Sequence, residues 1–350
     1  MRKIFLSDKL TWYKANLHGH TTLSDGSFTP EEVKDIYKKH GYSIIAFSDH
    51  EYCFAHPELQ DDGFVALTAY EMQIQEDGLL FPEYHRRLFH LLMIAMEMNN
   101  DVLVAFSPSE MQYAGMKTRH LGTAKYSGQV LEKREFSTEG INRIIADASK
   151  QGFLVALCHP IWSLHEVKDL QGLKGLFAME IFNAGTELGS SPESYCPHMY
   201  DAMLKDGQHI GCLANDDNHN HYPLDDPRSD LFGGFTMIGV PSLSYGHVID
   251  ALSNGMYYAS RGPLIHSLYL EQGCFHITCS PAWRIHFSNG LRYKPCSAYA
   301  TDKAGITEAV FTIPDDWTDY IRFTVTDFCG KTANTRVYWP EEFLQSRDTR

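Results

Sequence analysis

Ile44-Ile45-Ala46-Phe47-Ser48-Asp49-His50 is a short apolar run that closes on an acid and a histidine. An uninterrupted apolar stretch of this length, bounded by polar residues, reads as a buried parallel strand. Upstream, Thr29-Pro30-Glu31-Glu32 opens a helix, with Thr29 as N-cap, Pro30 in the first turn and Glu32 placed to close a capping box. Val33, Ile36 and Tyr37 form its apolar face, and it stops near Gly41. The same construction recurs outward along the chain. Strand-like runs lie at Tyr13–Leu17, Phe64–Ala69, His90–Ile94, Phe153–Leu157, Phe177–Ile181 and Ile210–Ala214, and a second helix runs from Ser137 or Thr138 to Lys150 before Gly152. Repeated strand–helix units indicate an α/β fold, either a parallel barrel or a doubly wound sheet.

Two stretches break this rhythm. Residues 97–136 hold Asn99-Asn100, Ser107-Pro108-Ser109 and a weakly patterned polar segment, and read as an insertion over one face. Past Arg261-Gly262-Pro263 the runs Ile265–Leu270, Phe275–Thr278, Arg284–Phe287, Ala309–Ile313 and Tyr320–Thr326 are short and separated by turn residues. That spacing predicts a small antiparallel β-sandwich over 263–350, following a first domain over 1–262. Trp283, Trp317 and Trp339 read as the core of this tail.

The net charge of −14 lies almost wholly in the first part: residues 263–350 hold nine Lys/Arg against ten Asp/Glu. An acidic surface argues against a nucleic-acid polymer as partner, but an anionic small molecule remains compatible if bound cations reverse the local field. No apolar run approaches the roughly 20 residues that cross a bilayer, and Met1–Lys9 is too short for a signal-peptide core, so a cytoplasmic location with no membrane partner is the expectation. The eight scattered cysteines contain no CxxC pair and read as reduced, packed thiols. Oligomeric state is not encoded in any feature of the sequence.

The chemistry sits at the ends of the strands. Asn16-Leu17-His18-Gly19-His20 is followed by Ser24-Asp25-Gly26, and two histidines at i and i+2 of an extended segment project to one side. Asp49-His50 closes the second strand, Tyr70-Glu71 follows the third, and His90 opens Leu91-Leu92-Met93-Ile94. Cys158-His159-Pro160 ends another, and Asn215-Asp216-Asp217-Asn218-His219 closes the last. Taken alone, each has an ordinary explanation: a hydrogen-bonded core histidine, a helix cap or a solvated turn. The weight lies in their coincidence, because strand C-termini of an α/β barrel converge on one face. Mixed imidazole and carboxylate donors suit Zn²⁺, Mn²⁺ or Fe²⁺. A shared carboxylate such as Glu71 could hold two ions roughly 3.5–4 Å apart.

The order HxHxxxSDG, an apolar strand into SDH, a Glu, HLL, an apolar run into HP and a closing DxH resembles the PHP (polymerase and histidinol phosphatase) metallohydrolases over nearly all of residues 12–262. His159-Pro160-Ile161-Trp162-Ser163 and Tyr257-Tyr258-Ala259-Ser260-Arg261-Gly262-Pro263, followed by a β-rich tail, resemble its CehA/McbA-type branch, which includes carbamate and ester hydrolases. The resemblance implies a distorted (β/α)7 barrel and a centre of two or three divalent ions used for phosphoester hydrolysis. It implies a first metal on His18, His20, Glu71 and Asp217, a second on Glu71, His90 and His159, and a third among Asp25, His50 and His219. The closing motif departs from the usual SDxH by offering two acids, and the spacing to His219 favours Asp217.

Hydrolysis by a metal-activated water follows from the resemblance, with Asp49 or His50 orienting it or relaying a proton, and with metal ligation as the rival role for His50. Arg261 is the candidate for gripping a substrate phosphate, a surface salt bridge being its alternative. The expected substrate is a small phosphorylated metabolite or nucleotide; the alternative is a carbamate or aryl ester on the same metals, and the third reading is a non-catalytic binding module. No GxxxxGK[ST], strand-borne GxGxxG, GxSxG or HExxH motif is present.

Overall fold

The first helix forms where its capping residues place it. Thr29 accepts from the backbone N–H of Glu32, and the Glu32 carboxylate accepts in return from Thr29 N–H, closing the box at the head of α1 (Pro30–Lys39). Ser137 likewise accepts from Gly140 N–H at the head of the helix Thr138–Lys150. The computed structural model describes residues 2–77, 85–111, 122–189, 191–291, 296–313 and 317–344; positions 112–121 of the 97–136 insertion lie outside the described residues.

Between these helices run β1 (Lys3–Leu6), β2 (Thr11–Asn16), β3 (Tyr42–Phe47), β4 (Val65–Gln75), β5 (Leu88–Ala95), the short β6 (Val102–Leu103) and β7 (Lys125–Tyr126). After the second helix, α2, come β8 (Phe153–Leu157), α3 (Val167–Leu170), β9 (Ala178–Asn183), α4 (Ala184–Gly189), α5 (Pro197–Lys205) and β10 (Gly211–Asn215). Then follow β11 (Phe235–Val240), α6 (Tyr245–Ser253) and β12 (Tyr257–Ser260). The tail holds β13 (Ile265–Glu271), β14 (Cys274–Ala282), β15 (Arg284–Ser288), β16 (Cys296–Tyr299), β17 (Ile306–Thr312), β18 (Arg322–Thr326), β19 (Thr332–Thr335) and α7 (Pro340–Phe343).

The fold is mixed α/β. One large sheet runs in the order β10-β9-β8-β5-β4-β3-β2-β11-β12-β19-β18-β15-β16, and a second in the order β1-β13-β14-β17. The β2–β3, β3–β4, β8–β9 and β9–β10 pairs are parallel, whereas β5 pairs antiparallel with both neighbours and β11 antiparallel with β2. An all-parallel (β/α)7 arrangement is therefore not what the ladders show. β4 pairs with β5 in antiparallel register from Ala69↔Ile94 to Gln75↔Leu88, and β5 with β8 likewise, so the run of parallel strands is interrupted at β5.

Side chains two residues apart nevertheless meet in one interior. Ala15 and Leu17, Ile44 and Ala46, Leu67 and Ala69, Leu92 and Ile94 join Ala156, Leu213 and Ile238 in a single buried cluster, as the period-two alternation of strands requires. β10 and β11 share no ladder, but the Thr236 hydroxyl accepts from Ala214 N–H at 3.3 Å and donates to Ala214 C=O at 3.2 Å, so the edge strand meets the eighth strand of the order.

The tail strands divide between the two sheets, whose side chains face one another: Phe275 packs on Phe323 with ring centroids 5.3 Å apart, and Phe287 on Phe311 at 5.9 Å. Trp317 lies on Phe287, while Trp283 is 41% exposed and so is not the core residue expected of it. All eight cysteines are unpaired. Among the described residues no helix is long and apolar enough to cross a membrane.

Arg322 on β18 is buried and donates two hydrogen bonds of 2.8 Å to Asp201 on α5, tying the tail to the first part of the chain. Removing one partner leaves a buried charge uncompensated. Asp201→Asn is expected to lower the unfolding free energy by about 2–4 kcal/mol, measured by urea denaturation, with the denaturant slope unchanged.

Candidate metal centre

The first two histidines are placed by the backbone on either side of Gly19. Asp217 N–H donates to His18 C=O at 2.9 Å, and His20 N–H donates to Asn218 C=O at 2.9 Å. Gly19 N–H donates to Ser48 Oγ at 3.0 Å. A Cβ at Gly19 would lie 2.4 Å from Asn218 Oδ1, so only glycine lets the two segments approach this closely. Asp217 itself holds a left-handed φ of 53°, a conformation that aspartate tolerates better than most residues.

Around this crossing the donors converge. His18 Nε2 and His20 Nε2 stand 3.2 and 2.9 Å from Asp217 Oδ1. Glu71 lies at the centre, with Oε1 at 2.6 Å from His90 Nδ1, 3.0 Å from His159 Nε2 and 3.3 Å from His18 Nε2. Its Oε2 is 2.9 Å from His50 Nδ1 and 3.4 Å from His20 Nε2. Asp25 sits to one side, with Oδ2 at 3.4 Å from His219 Nε2 and 3.7 Å from His50 Nε2.

Four overlapping sets of donor atoms each fall within 4.8 Å of one another: His18, His20, Glu71 and Asp217; His50, Glu71 and His90; His18, Glu71, Cys158 and His159; and His20, Asp25, His50 and His219. All nine residues expected as ligands are thus brought together. One detail differs from the sequence reading: Glu71 does not end a strand but sits within β4. His90 lies near the start of its strand, β5, whose antiparallel course brings that start to the same face.

Electrostatics bind these groups to each other. Burial opposes charge on His18, but Asp217, Glu71 and Glu180 outweigh it and raise its pKa well above the usual value. Burial also resists ionisation of Glu71, yet His90, His18 and His50 hold it well below the carboxylate range. His90 is lowered to about 4, by burial first and by His159 and His50 beside it, against the pull of Glu71. His219 is raised to about 10, because its hydrogen bond to Asp25 and the charge of Asp217 overcome burial.

A divalent metal fits this donor set on one direct observation. Glu71 Oε2 is buried and accepts no hydrogen bond of good geometry, although His50 Nδ1 stands only 2.9 Å away. A buried carboxylate oxygen without such a donor is costly, and a cation shared with the facing imidazole removes the cost. His18 Nε2 and His20 Nε2 also face each other at 3.3 Å, where two neutral acceptor nitrogens would repel.

Several residues take parts that sequence reasoning did not assign. Glu180 on β9 is 1% exposed and lies 2.9 Å from His18 Nδ1. Its oxygens also accept from Asn215 Nδ2, Asn183 Nδ2 and the backbone N–H of His159. Only a carboxylate interrupting the apolar run Phe177–Ile181 marked it. Arg134, from the end of the insertion, is fully buried and reaches Glu51 bidentately at 2.5 and 2.8 Å, and Glu51 in turn accepts from Gln73 N–H. Gln73 Oε1 stands 3.1 Å from His90 Nε2. Nothing in the charged run Lys133-Arg134-Glu135 signalled this.

Two assignments are corrected. Asp49 is not at the rim: its carboxylate accepts from Thr21 N–H, Thr21 Oγ1, Ser24 N–H and Ser24 Oγ, which occupies it in holding the loop between His20 and Asp25. Arg261 does not reach the site either. Its guanidinium bonds Glu187 at 3.2 Å and lies 4.1 Å over the Phe182 ring.

The cluster opens onto a cleft of about 460 Å³ lined by Asp25, His50, Glu71, His90, His159, Asp217 and His219 on its floor and by Trp162, Leu188, Tyr222 and Arg228 above. Arg228 is the one Lys or Arg lining it among the described residues.

No protein-family profile matches the chain, and no curated protein matches it in sequence. Among solved structures it is similar to a two-domain protein from Bacteroides vulgatus described as containing a predicted PHP-like metal-dependent phosphoesterase, at TM-score 0.40 and 14% identity over 93% of this chain and 94% of that one. It is also similar to a metal-dependent phosphoesterase candidate from Bifidobacterium adolescentis (TM-score 0.35, 13% identity, 61% of this chain and 89% of that one). A third likeness is an amidohydrolase from Chromobacterium violaceum with bound sulfate and no metal (TM-score 0.33, 13% identity, 59% and 87%).

Glu180→Gln keeps the shape and removes the charge that orients His18. Such outer partners are worth about 10–100-fold in metal affinity, so Mn²⁺ titration by calorimetry is expected to show a loss of that size with the unfolding midpoint of the metal-free protein lowered only slightly.

Proposed function

We propose that this chain is a metal-dependent hydrolase of small-molecule phosphoesters, built around two or three divalent ions. The observation that carries the reading is the convergence of His18, His20, His50, His90 and His159 on the buried Glu71 carboxylate at the floor of an open cleft. In this reading His18, His20, Glu71 and Asp217 hold one ion, and Glu71 shares a second with His90 and His159. His50, Asp25 and His219, beside His20, hold a third. Zn²⁺, Mn²⁺ and Fe²⁺ all suit such donors. In this reading the strands from β10 to β11 of the first sheet, whose two ends meet at Ala214 and Thr236, serve as a distorted barrel, with a β-sandwich tail beginning near residue 263.

Bound ions of this kind supply Lewis acidity, offsetting charge on the phosphoryl oxygens and making a water nucleophilic near neutral pH. The chain's own residues do the rest. Glu180 fixes the ring of His18, so that its Nε2 keeps its aim. Asp49 holds the His20–Asp25 loop in register by four hydrogen bonds. Arg228 replaces Arg261 as the candidate for meeting the anionic substrate. It is paired with Asp226 at 2.9 and 2.8 Å in an exposed ion pair, and such pairs are weak enough to exchange for a phosphate.

The test is hydrolysis of p-nitrophenyl phosphate and a panel of phosphomonoesters with added Mn²⁺. Activity that EDTA abolishes and Mn²⁺ restores is expected, with Asp217→Asn lowering kcat/KM at least about 100-fold. Metal-loaded protein inert to every phosphoester but active on carbamates or aryl carboxylic esters would move the assignment to that class. Arg228→Ala is expected to raise KM about tenfold with a smaller change in kcat, as loss of uniform binding does.

A further inference from the structure

Three of the large apolar side chains that remain exposed gather at this one cleft. Trp162 is 38% exposed, Leu188 46% and Tyr222 40%, and all three line the space above the donor cluster. Isolated exposed apolar residues are ordinary, whereas several rimming one polar-floored cleft mark a ligand surface.

Trp162 is held there by construction. Its turn is fastened by Ser163 N–H to His159 C=O, Leu164 N–H to Ile161 C=O and His165 N–H to Pro160 C=O. The indole rests edge-on to His159 at 4.9 Å between centroids and tilted on His90 at 5.2 Å. The indole is therefore in direct contact with two imidazoles of the cluster, which puts its exposed part at the edge of the donor floor. Leu188 comes from α4. Tyr222 is braced by Arg228, whose guanidinium lies 4.1 Å over its ring.

We propose that the cleft selects phosphate monoesters whose alcohol carries a flat aromatic ring, seated against Trp162 and Leu188 and facing Tyr222, with the phosphate on the donor cluster. The inference rests on the hydrolase reading above and adds the substrate class to it. In the reaction water adds to phosphorus, the ester P–O bond breaks, and the alcohol leaves with the proton that the water gives up. Apolar contact with the ring is separable from that chemistry, because it is made equally by a molecule that cannot react.

The experiment compares benzyl phosphate with ethyl phosphate, esters of alcohols of similar acidity, and benzylphosphonate with ethylphosphonate as unreactive probes. The Mn²⁺-loaded wild type and the Trp162→Ala, Trp162→Phe and Leu188→Ser variants are used, each checked for metal content. Burying one phenyl ring predicts a preference of about 20-fold or more for the aromatic member in kcat/KM and in phosphonate Kd. Trp162→Ala and Leu188→Ser should each reduce it to about threefold or less, and Trp162→Phe should retain most of it.

Equal use of both esters by the wild type, or a preference untouched by Trp162→Ala and Leu188→Ser, overturns the aromatic subsite while leaving the hydrolase standing. Discrimination between the phosphonates without hydrolysis of either ester overturns the hydrolase reading and keeps the subsite. Neither binding nor hydrolysis overturns both.

Discussion

The carboxylate of Glu71 is 1% exposed and has an imidazole nitrogen of each of five histidines within 3.4 Å. A buried carboxylate is held ionised only by positive charge or by several donated hydrogen bonds. Here one oxygen accepts no well-aimed bond. The rest of the site is arranged around this constraint: β4 carries Glu71 beneath the face, β5 returns antiparallel to bring His90 beside it, and β2, β3, β8 and β10 end in loops that aim their histidines and Asp217 at it. A cation shared among these groups satisfies the carboxylate and the facing nitrogens together, which is why the cluster reads as a metal centre rather than as a packed polar core.

Around the donors lies a layer of residues that hold them in place. Glu180 serves His18 and the His159 backbone, Asp49 serves the loop of His20, and Arg134 with Glu51 and Gln73 reaches His90 from behind. The last chain gives the end of the insertion a definite job: it places a fully buried guanidinium against the turn that follows His50. Such a layer is expected where donor positions must be kept within fractions of an ångström.

Much of this was legible in the sequence, and the gaps have physical causes. His18, His20, His50, His159 and Asp217 stand at changes from apolar to polar character, where a strand ends, so pattern alone marks them. The capping signals at Thr29 and Ser137 set both long helices correctly because they are local. What escaped depends on long-range pairing. The antiparallel place of β5 is decided by β4 and β8 and not by its own residues. Glu180 and Arg134 act through partners far along the chain: Glu180 meets His18, 162 residues away, and Arg134 meets Glu51, 83 residues away. Arg261 and Arg228 look alike in sequence, and only the course of the loops shows that one stacks on Phe182 while the other lines the cleft.

The most direct measurement is anomalous diffraction from crystals of the protein grown with Mn²⁺. The account predicts at least two peaks roughly 3.5–4 Å apart, both within about 2.0–2.3 Å of the Glu71 carboxylate or the imidazoles facing it, with one of them also touching Asp217. A cluster without any peak, or Mn²⁺ bound only at surface carboxylates away from Glu71, would contradict it.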